Sequence, residues 1–496
     1  MKTMKNIIKC LTASLLVVNL SSCVDLDPEP LSFFAPENTF MDKEGLEALL
    51  ITSRKQIKWE WFGDAFNAGY CETPLVYEYA WSDISVMGAP EVKEIHNLET
   101  QLTPTTNMAL HLRYWDLAWN GIKYANTLIS RVPKSNIDNE DDKNQLLAEG
   151  YFHRAYWYYL LVNQWGDVPL LLEEVTGPKL DFYSTSRMKI LQQMKTDMEF
   201  AVKWLPKNVQ PGCVSRAAGE HLLAKIYLCT GDFQFAVDAT TRCINDYGLH
   251  LMKERFGVNA SDASLDVFND LFQEDNISAS ENKEAIFVVQ ERYGIEGNVA
   301  PKGSARMRNF VPYWCNGAAV KTPDGKQGTT YDAGPYEGYE WVEKLGRGIA
   351  KIRPTNYSQY AIWGKCGNDI RHNDNNWFNI SRLTYNRPAS KGGSEEYFGK
   401  PIERAFVSDT MRCYFSFPTV KTLIYKDDIN VGKTPTGGFT DTYVFRLAET
   451  YLMRAEAYYW LGNLPLAKED VNEIRRRAKA PELPSVTLDD ILDERA

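Results

Sequence analysis

The sequence predicts a mainly α fold: a tetratricopeptide-like helical-repeat superhelix with a large irregular, loop-rich insertion carrying short strands. Three observations predict it. A thirteen-residue segment starting at Leu147 recurs at Leu447 with eight identities: Leu147/Leu447, Ala148/Ala448, Glu149/Glu449, Tyr151/Tyr451, Arg154/Arg454, Ala155/Ala455, Tyr158/Tyr458 and Tyr159/Tyr459. A second grammar, Ala224, Tyr227, Gly231-Asp232 and Ala236, recurs as Ala455, Tyr458, Gly462-Asn463 and Ala467. Between those repeats glycine rises to 18 of the 145 residues from Gly294 to Gly438, against 14 in the other 351, and helical periodicity fades.

The second grammar describes two helices joined by a tight turn. Small alanines let the helices approach, glycine ends the first, and Asp232 or Asn463 can cap the second. One hairpin cannot bury its own face, so several must stack. Composition agrees with a globular body: 44% of the 496 residues are hydrophobic and 24% charged. With 55 Lys and Arg against 65 Asp and Glu, the net charge of −10 excludes a general basic surface for nucleic acid. Aromatics make up 12%, a surplus that packs between helices or lines a face that stacks on ligands.

Residues 1–22 read as a signal peptide. Lys2, Lys5 and Lys9 precede an apolar run from about Cys10 to Leu20, and a permanent span needs roughly 20 residues. Leu20-Ser21-Ser22-Cys23 resembles the bacterial lipobox, in which the cysteine is acylated after cleavage. The plainer alternative is an ordinary signal peptide with an incidental cysteine. Residues 23–40 are acidic and proline-bearing at Asp25, Asp27, Pro28, Glu29 and Pro30, and read as a lipidated tether. No later run predicts a transmembrane helix.

The first part of the scaffold is expected over 41–290, with helices at about 43–56, 114–129 and 187–204 and around Leu147. In the last, Leu147, Tyr151, Ala155, Tyr158 and Val162 share one face. Trp115, Trp119, Trp157 and Trp165 are read as helix-packing residues. A Gly- and aromatic-rich ligand-binding insertion is expected over 291–442, and the last repeat over 443–496. Seven cysteines remain after Cys10 and Cys23 are set aside. Their odd number and scattered spacing do not describe a disulfide framework, and Cys229 and Cys243 read as buried thiols.

The run from Arg154 to Leu170, RAYWYYLLVNQWGDVPL, resembles the signature helix and turn of the SusD/RagB-like outer-membrane nutrient-binding lipoproteins. So does Phe445 to Ala457, FRLAETYLMRAEA, and Trp119 to Asn126, WNGIKYAN, is similar. The resemblance runs over almost the whole chain. It implies a non-catalytic surface lipoprotein anchored to the outer membrane through Cys23. That protein would capture a nutrient, a glycan above all, and pass it to a TonB-dependent, SusC-like barrel transporter. Such proteins continue past the motif that Ile491 to Ala496 resembles, so the resemblance implies a missing C-terminal piece and exposed apolar surface beside the last repeat.

No enzyme motif stands up. There is no phosphate loop or zinc helix, the six histidines are scattered, and no carboxylate pair is singled out for glycoside hydrolysis. No metal or cofactor is expected. A sugar offers an apolar ring face for Trp or Tyr and hydroxyls for Asp, Asn or Arg. The candidates are therefore loop aromatics with polar neighbours. One set is Trp81 with Asp83. A second is Trp314 with Asn316, Tyr331, Tyr336, Tyr339 and Trp341. A third is Trp363 with Trp377. Loop-to-scaffold packing is the competing reading for each. Two rival functions stand beside the first: a helical-repeat scaffold for peptides or proteins, and a surface glycosidase.

Overall fold

The computed structural model describes residues 40–62, 79, 82–88, 103, 109–298, 306–331, 341, 345–346, 348–424 and 438–496. Among the described residues, eight long helices pair into four hairpins. Helix α1 (Lys43–Phe62) packs on α2 (Ala109–Arg131), α3 (Glu140–Trp165) on α4 (Arg187–Trp204), and α5 (Arg216–Thr230) on α6 (Phe233–Asn245). A long excursion follows, with short helices α7 (Val267–Leu271), α8 (Arg306–Phe310) and α9 (Thr410–Tyr414). The chain then returns as α10 (Leu447–Trp460) and α11 (Leu464–Arg477), with α12 (Leu488–Arg495) against α10. Each hairpin also rests on the next: α2 on α3, α4 on α5, and α6 on α10 across the excursion. This is nearest-neighbour stacking, in which one hairpin buries the face of another. No helix among the described residues is long and apolar enough to cross a membrane.

Strands are few and short. β1 (Ser85–Met87) pairs with β5 (Ile352–Pro354), β2 (Val168–Pro169) with β3 (Ser184–Thr185), and β4 (Ala285–Val289) with β6 (Thr442–Arg446), all antiparallel. The β4–β6 pair runs from Ala285↔Arg446 to Val289↔Thr442 and clasps the two ends of the excursion together. Phe287 and Phe445 from this clasp join the main core, where Phe152 meets Phe287 edge-on at 5.8 Å.

The sequence repeat is a repeat of contacts. Glu149 on α3 reaches α1, accepting two bonds from Arg54 at 2.6 and 2.8 Å. Its counterpart Glu449 on α10 reaches α5, meeting Lys225 at 2.5 Å and His221 at 3.1 Å. Arg154 bonds Asp197 on α4 at 2.8 Å, and Arg454 bonds Asp470 on α11 at 2.8 and 2.7 Å. Each guanidinium lies over the tyrosine three residues earlier, at 5.0 and 5.4 Å. Thus the glutamate ties a hairpin to the one before it, and the arginine ties its two helices to each other.

The turns follow the local chemistry, with one exception. Gly231 and Gly462 sit at φ of 78° and 75°, which suits glycine at a helix end. Asn463 caps α11 by accepting from the Leu466 N–H at 3.4 Å. Asp232 does not cap α6; its carboxylate instead accepts from Thr230 Oγ1 at 2.6 Å and Lys195 Nζ at 3.0 Å. A charged partner on the neighbouring α4 outcompetes the local backbone. Helix α3 also differs from the expected one-faced helix: Leu146, Phe152, Arg154, Tyr156 and Trp157 are all buried, because α1, α2 and α4 surround it. Trp157 is fully buried, whereas Trp115, Trp119 and Trp165 are half-buried rings, with Trp115 packed edge to face on the other two at 5.4–5.5 Å. Gly121 explains the Trp-Asn-Gly motif on α2: a Cβ there would lie 2.1 Å from the Trp157 indole nitrogen.

The small residues sit where two helices cross. Ala224, Ala236, Ala455 and Ala467 are all fully buried. Six cysteines are described, all free, with Cys243 buried and Cys229 half-buried. Burial pushes the Cys243 thiol up to about 12, so it behaves as an apolar side chain.

Candidate functional site

A cavity of about 600 Å³ lies between the last hairpin and the excursion. Its walls come from the chain after α7, the 357–377 turns, the 417–422 segment, β6, and the ends of α11 and α12. No single element makes it, since the clasp and the last repeat bring the others to one place.

One wall is aromatic. Tyr357–Ala361 forms a wide π-helical turn and Ile362–Lys365 a tight 3-10 turn, and the Trp363 indole N–H donates to Ser358 O at 3.1 Å. His372 stacks on Trp363 at 4.4 Å with rings inclined by 25°, and Trp377 follows at 5.7 Å. Phe417 continues the row, 6.2 Å from Trp377. Buried Asn376 sets the position of Trp377: its side-chain amide donates to Asp266 at 2.9 Å and to Ile370 O at 2.7 Å. Trp363 and Trp377 are half-buried, with part of each ring open. Burial pushes the His372 imidazole below its usual value, which favours the neutral ring.

The opposite side is charged. Glu284, fully buried behind β6, pairs with Arg446 and, at 2.8 Å, with Arg477. Burial would raise its carboxyl, but Arg477 and Arg446 together hold it below the usual range. Glu494 of α12 meets Arg371 at 2.5 Å and Arg475 at 3.0 Å, and Arg371 also holds Asp369 at 2.6 Å. Arg446 lies 5.7 Å over Phe272, and Lys421 Nζ 5.8 Å over Phe268. Lys421 opens on the cavity, and its Nζ meets no acceptor among the described residues.

The carboxylates of the cavity are already engaged. Asp493 accepts from Tyr357, Asp490 caps α12 with Thr487 at 2.7 Å, and Glu449 holds His221 and Lys225. Burial acts to raise Glu449, yet Lys225 and His221 keep it well below the usual range. A general acid for glycoside hydrolysis needs a raised pKa. The arrangement can therefore stack an apolar ring face and bond a polar or anionic rim.

Of the nominated residues that are described, the structure brings only Trp363, with Trp377, to this cavity. Trp314 is fully buried and donates its indole N–H to Gly346 O at 3.0 Å. Trp341 is 6% exposed, bonds Thr384 Oγ1 at 2.9 Å and packs on Phe378 at 5.3 Å. Both build a small core of the insertion with Leu345, Ile380 and Leu383, so neither presents a stacking face. Asn316 is a turn residue whose side-chain oxygen accepts from the N–H groups of Ala318 and Ala319 at 3.2 and 3.3 Å. Asp83 is exposed beside the cavity residue Ile84, and its backbone oxygen accepts from Thr355 at 2.7 Å. Trp81, Tyr336 and Tyr339, with Cys23, lie outside the described residues. Sequence reasoning missed Lys421, Arg371, Arg446, Arg475 and Arg477. Only the Arg475-Arg476-Arg477 run stood out in the chain, and such a run at a helix end reads as a solvated, dipole-matched terminus.

Two family models match the chain. The one described as SusD family covers residues 284–496, and one described as starch-binding associating with outer membrane covers 72–228. The chain belongs to the SusD/RagB-like family. Among curated SusD-like relatives, protein P2 of Formosa agariphila is 29% identical over 240 residues, 48% of this chain and 46% of that protein. A SusD-like protein of Bacteroides ovatus is 24% identical over 402 residues, covering 76% of this chain and 62% of that one. The chain thus spans about half to under two thirds of these two relatives. Solved SusD-like structures share the fold. A laminarin-binding SusD-like protein superposes with a TM-score of 0.63 at 21% identity, covering 92% of this chain and 88% of its own. Surface glycan-binding protein A of Bacteroides uniformis gives 0.64 at 16% identity, with 92% and 84% covered. The four-hairpin scaffold is therefore the SusD fold, and the family's outer-membrane association carries over as a family trait.

Proposed function

We propose that this protein is a non-catalytic cell-surface lipoprotein that captures a glycan outside the outer membrane and hands it to a TonB-dependent, SusC-like barrel transporter. The observation that carries this reading is the aromatic wall of Trp363 and Trp377 in a cavity of about 600 Å³, opposite a bank of charged donors. A half-open indole matches the C–H face of a sugar, and the donors match its oxygens. Among SusD-like proteins, one is named for binding laminarin and others as surface glycan-binding proteins, which supports the same class of ligand. The engaged carboxylates favour binding over hydrolysis. In this reading the helical hairpins are a rigid support, the 291–442 segment carries most of the ligand contacts, Asp83 stands at the rim, and Cys23 carries the acyl anchor.

Calorimetry against a panel of polysaccharides tests it. The parent binds at least one glycan, and Trp363→Ala abolishes that binding while the circular dichroism spectrum stays unchanged. A parent that binds peptides and no glycan makes the helical-repeat peptide scaffold the better reading. For the anchor, Cys23→Ser loses labelled fatty acid and leaves the membrane fraction; equal lipid incorporation refutes acylation there.

A further inference from the structure

Resting on the glycan reading, the geometry points to a sugar that carries a carboxylate or a sulfate ester, held with its ring against Trp363 and Trp377 and its anionic group on Lys421. Seven cationic and four acidic side chains line the cavity, and Glu284 and Asp369 hold three of its arginines from behind, which leaves one cation over in a chain whose net charge is −10. The surplus is therefore local. A concave, protein-walled site strengthens such a field relative to open water.

The charges divide into two kinds. Most guanidiniums are held from behind: Arg446 and Arg477 by Glu284, Arg371 by Asp369 and Glu494, Arg475 by Glu494. They are fixed dipoles with donors to spare. Lys421 is different, for it opens on the cavity with no carboxylate at its Nζ among the described residues. The Arg477 Nε, buried and also without an acceptor among the described residues, is a second unused donor on the same lining. A neutral sugar would leave the Lys421 ammonium without a counter-charge. An anion on Lys421 would compensate it and give an unengaged ammonium a charged partner.

The state of Lys421 fits a site awaiting a negative partner. Its surroundings push the ammonium down to about 7, first through burial and then through Arg446, Arg371 and Arg477, with Asp369 opposing. Glu284 and Glu494 stand behind those arginines rather than at the lysine. An anion bound there raises the pKa again, so binding takes up a proton near neutral pH.

The test is calorimetry on the full chain, reading also the tryptophan fluorescence. The probes are oligogalacturonate, a sulfated galactan oligosaccharide, and a neutral laminarin oligosaccharide of the same length. At low salt, at least one anionic probe binds about tenfold or more tighter than the neutral one, and the two anionic arms say whether carboxylate or sulfate is preferred. Its affinity is higher at about pH 6 than at about pH 8. Lys421→Met weakens it about tenfold and flattens the pH dependence, while Lys421→Arg restores affinity without restoring the pH dependence. Unchanged circular dichroism in both variants separates lost binding from lost fold; if Lys421→Met unfolds, the pH and salt dependence of the parent decides. If the neutral probe binds as well as the anionic ones and depends on Trp363, the anionic inference falls and glycan capture stands. If glycans of neither kind bind, as in a cavity filled by another part of the chain, both fall.

Discussion

Two groups of tryptophans in the glycine-rich stretch look alike in the sequence and do opposite things. Trp314 and Trp341 are buried against Phe378, Leu345 and Leu383, with both indole N–H groups bonded inside the protein. Trp363 and Trp377 keep part of each ring open on the cavity beside His372. Both groups sit in loops of low helical periodicity, next to polar residues. The difference is not in local chemistry but in what the rest of the chain lays over them. Loop aromatics thus supply two unlike services, a satellite core and a binding wall, and burial alone tells them apart.

Removing one ring from each group should break the comparison most sharply. Trp314→Ala empties a fully buried site and costs about 3–5 kcal/mol, whereas Trp363→Ala costs less than about 1 kcal/mol. Denaturant midpoints for the two variants give the answer, and similar losses would mean that Trp363 is also a core residue. A pair of glycines sharpens it at the next level. A Cβ on Gly348 would lie 1.9 Å from the Val311 carbonyl oxygen, but one on Gly364 meets nothing within 4 Å. Gly348→Ala should cost about 1–3 kcal/mol and Gly364→Ala little.

The third expected effect is a pH dependence confined to the cavity side. Lys421 has a folded value of about 7 against an ordinary 10.5. Between those values the unfolded chain holds a proton that the folded chain lacks. Stability therefore rises with pH across that window, and the contribution is flat below it. Lys421→Met should remove this slope, read as the difference in urea midpoint between parent and variant at about pH 7 and about pH 9. An unchanged slope would place the lysine in ordinary solvent. The smallest effect belongs to Asn316, whose loss as Asn316→Ala removes two turn bonds and costs about 0.5–1 kcal/mol in the same assay, with binding untouched.

The helical hairpins show where sequence reading works well. Alanine spacing, turn glycines and the Leu-Ala-Glu and Arg-Ala repeats act within a helix or between adjacent helices, so their signal is local and periodic. Glu449 and Arg454 could be paired with Glu149 and Arg154 by position alone, and they make equivalent contacts. Asp232 shows the limit at short range. A good cap by type, it is taken by Lys195 from another helix, and no pattern near Gly231 announces that lysine.

The sequence by itself determined the class of fold and its stacking units, because 3.6-residue periodicity and helix punctuation are written in neighbouring positions. Only the tertiary structure decided which aromatics face water and where charge gathers. The cavity draws on Phe268, Trp363, Lys421, Arg446, Arg477 and Glu494, spread over more than 220 positions and joined by the β4–β6 clasp. Burial and electrostatic field are sums over neighbours in space. A chain that brings residues together from such distances leaves no local pattern from which those sums can be read.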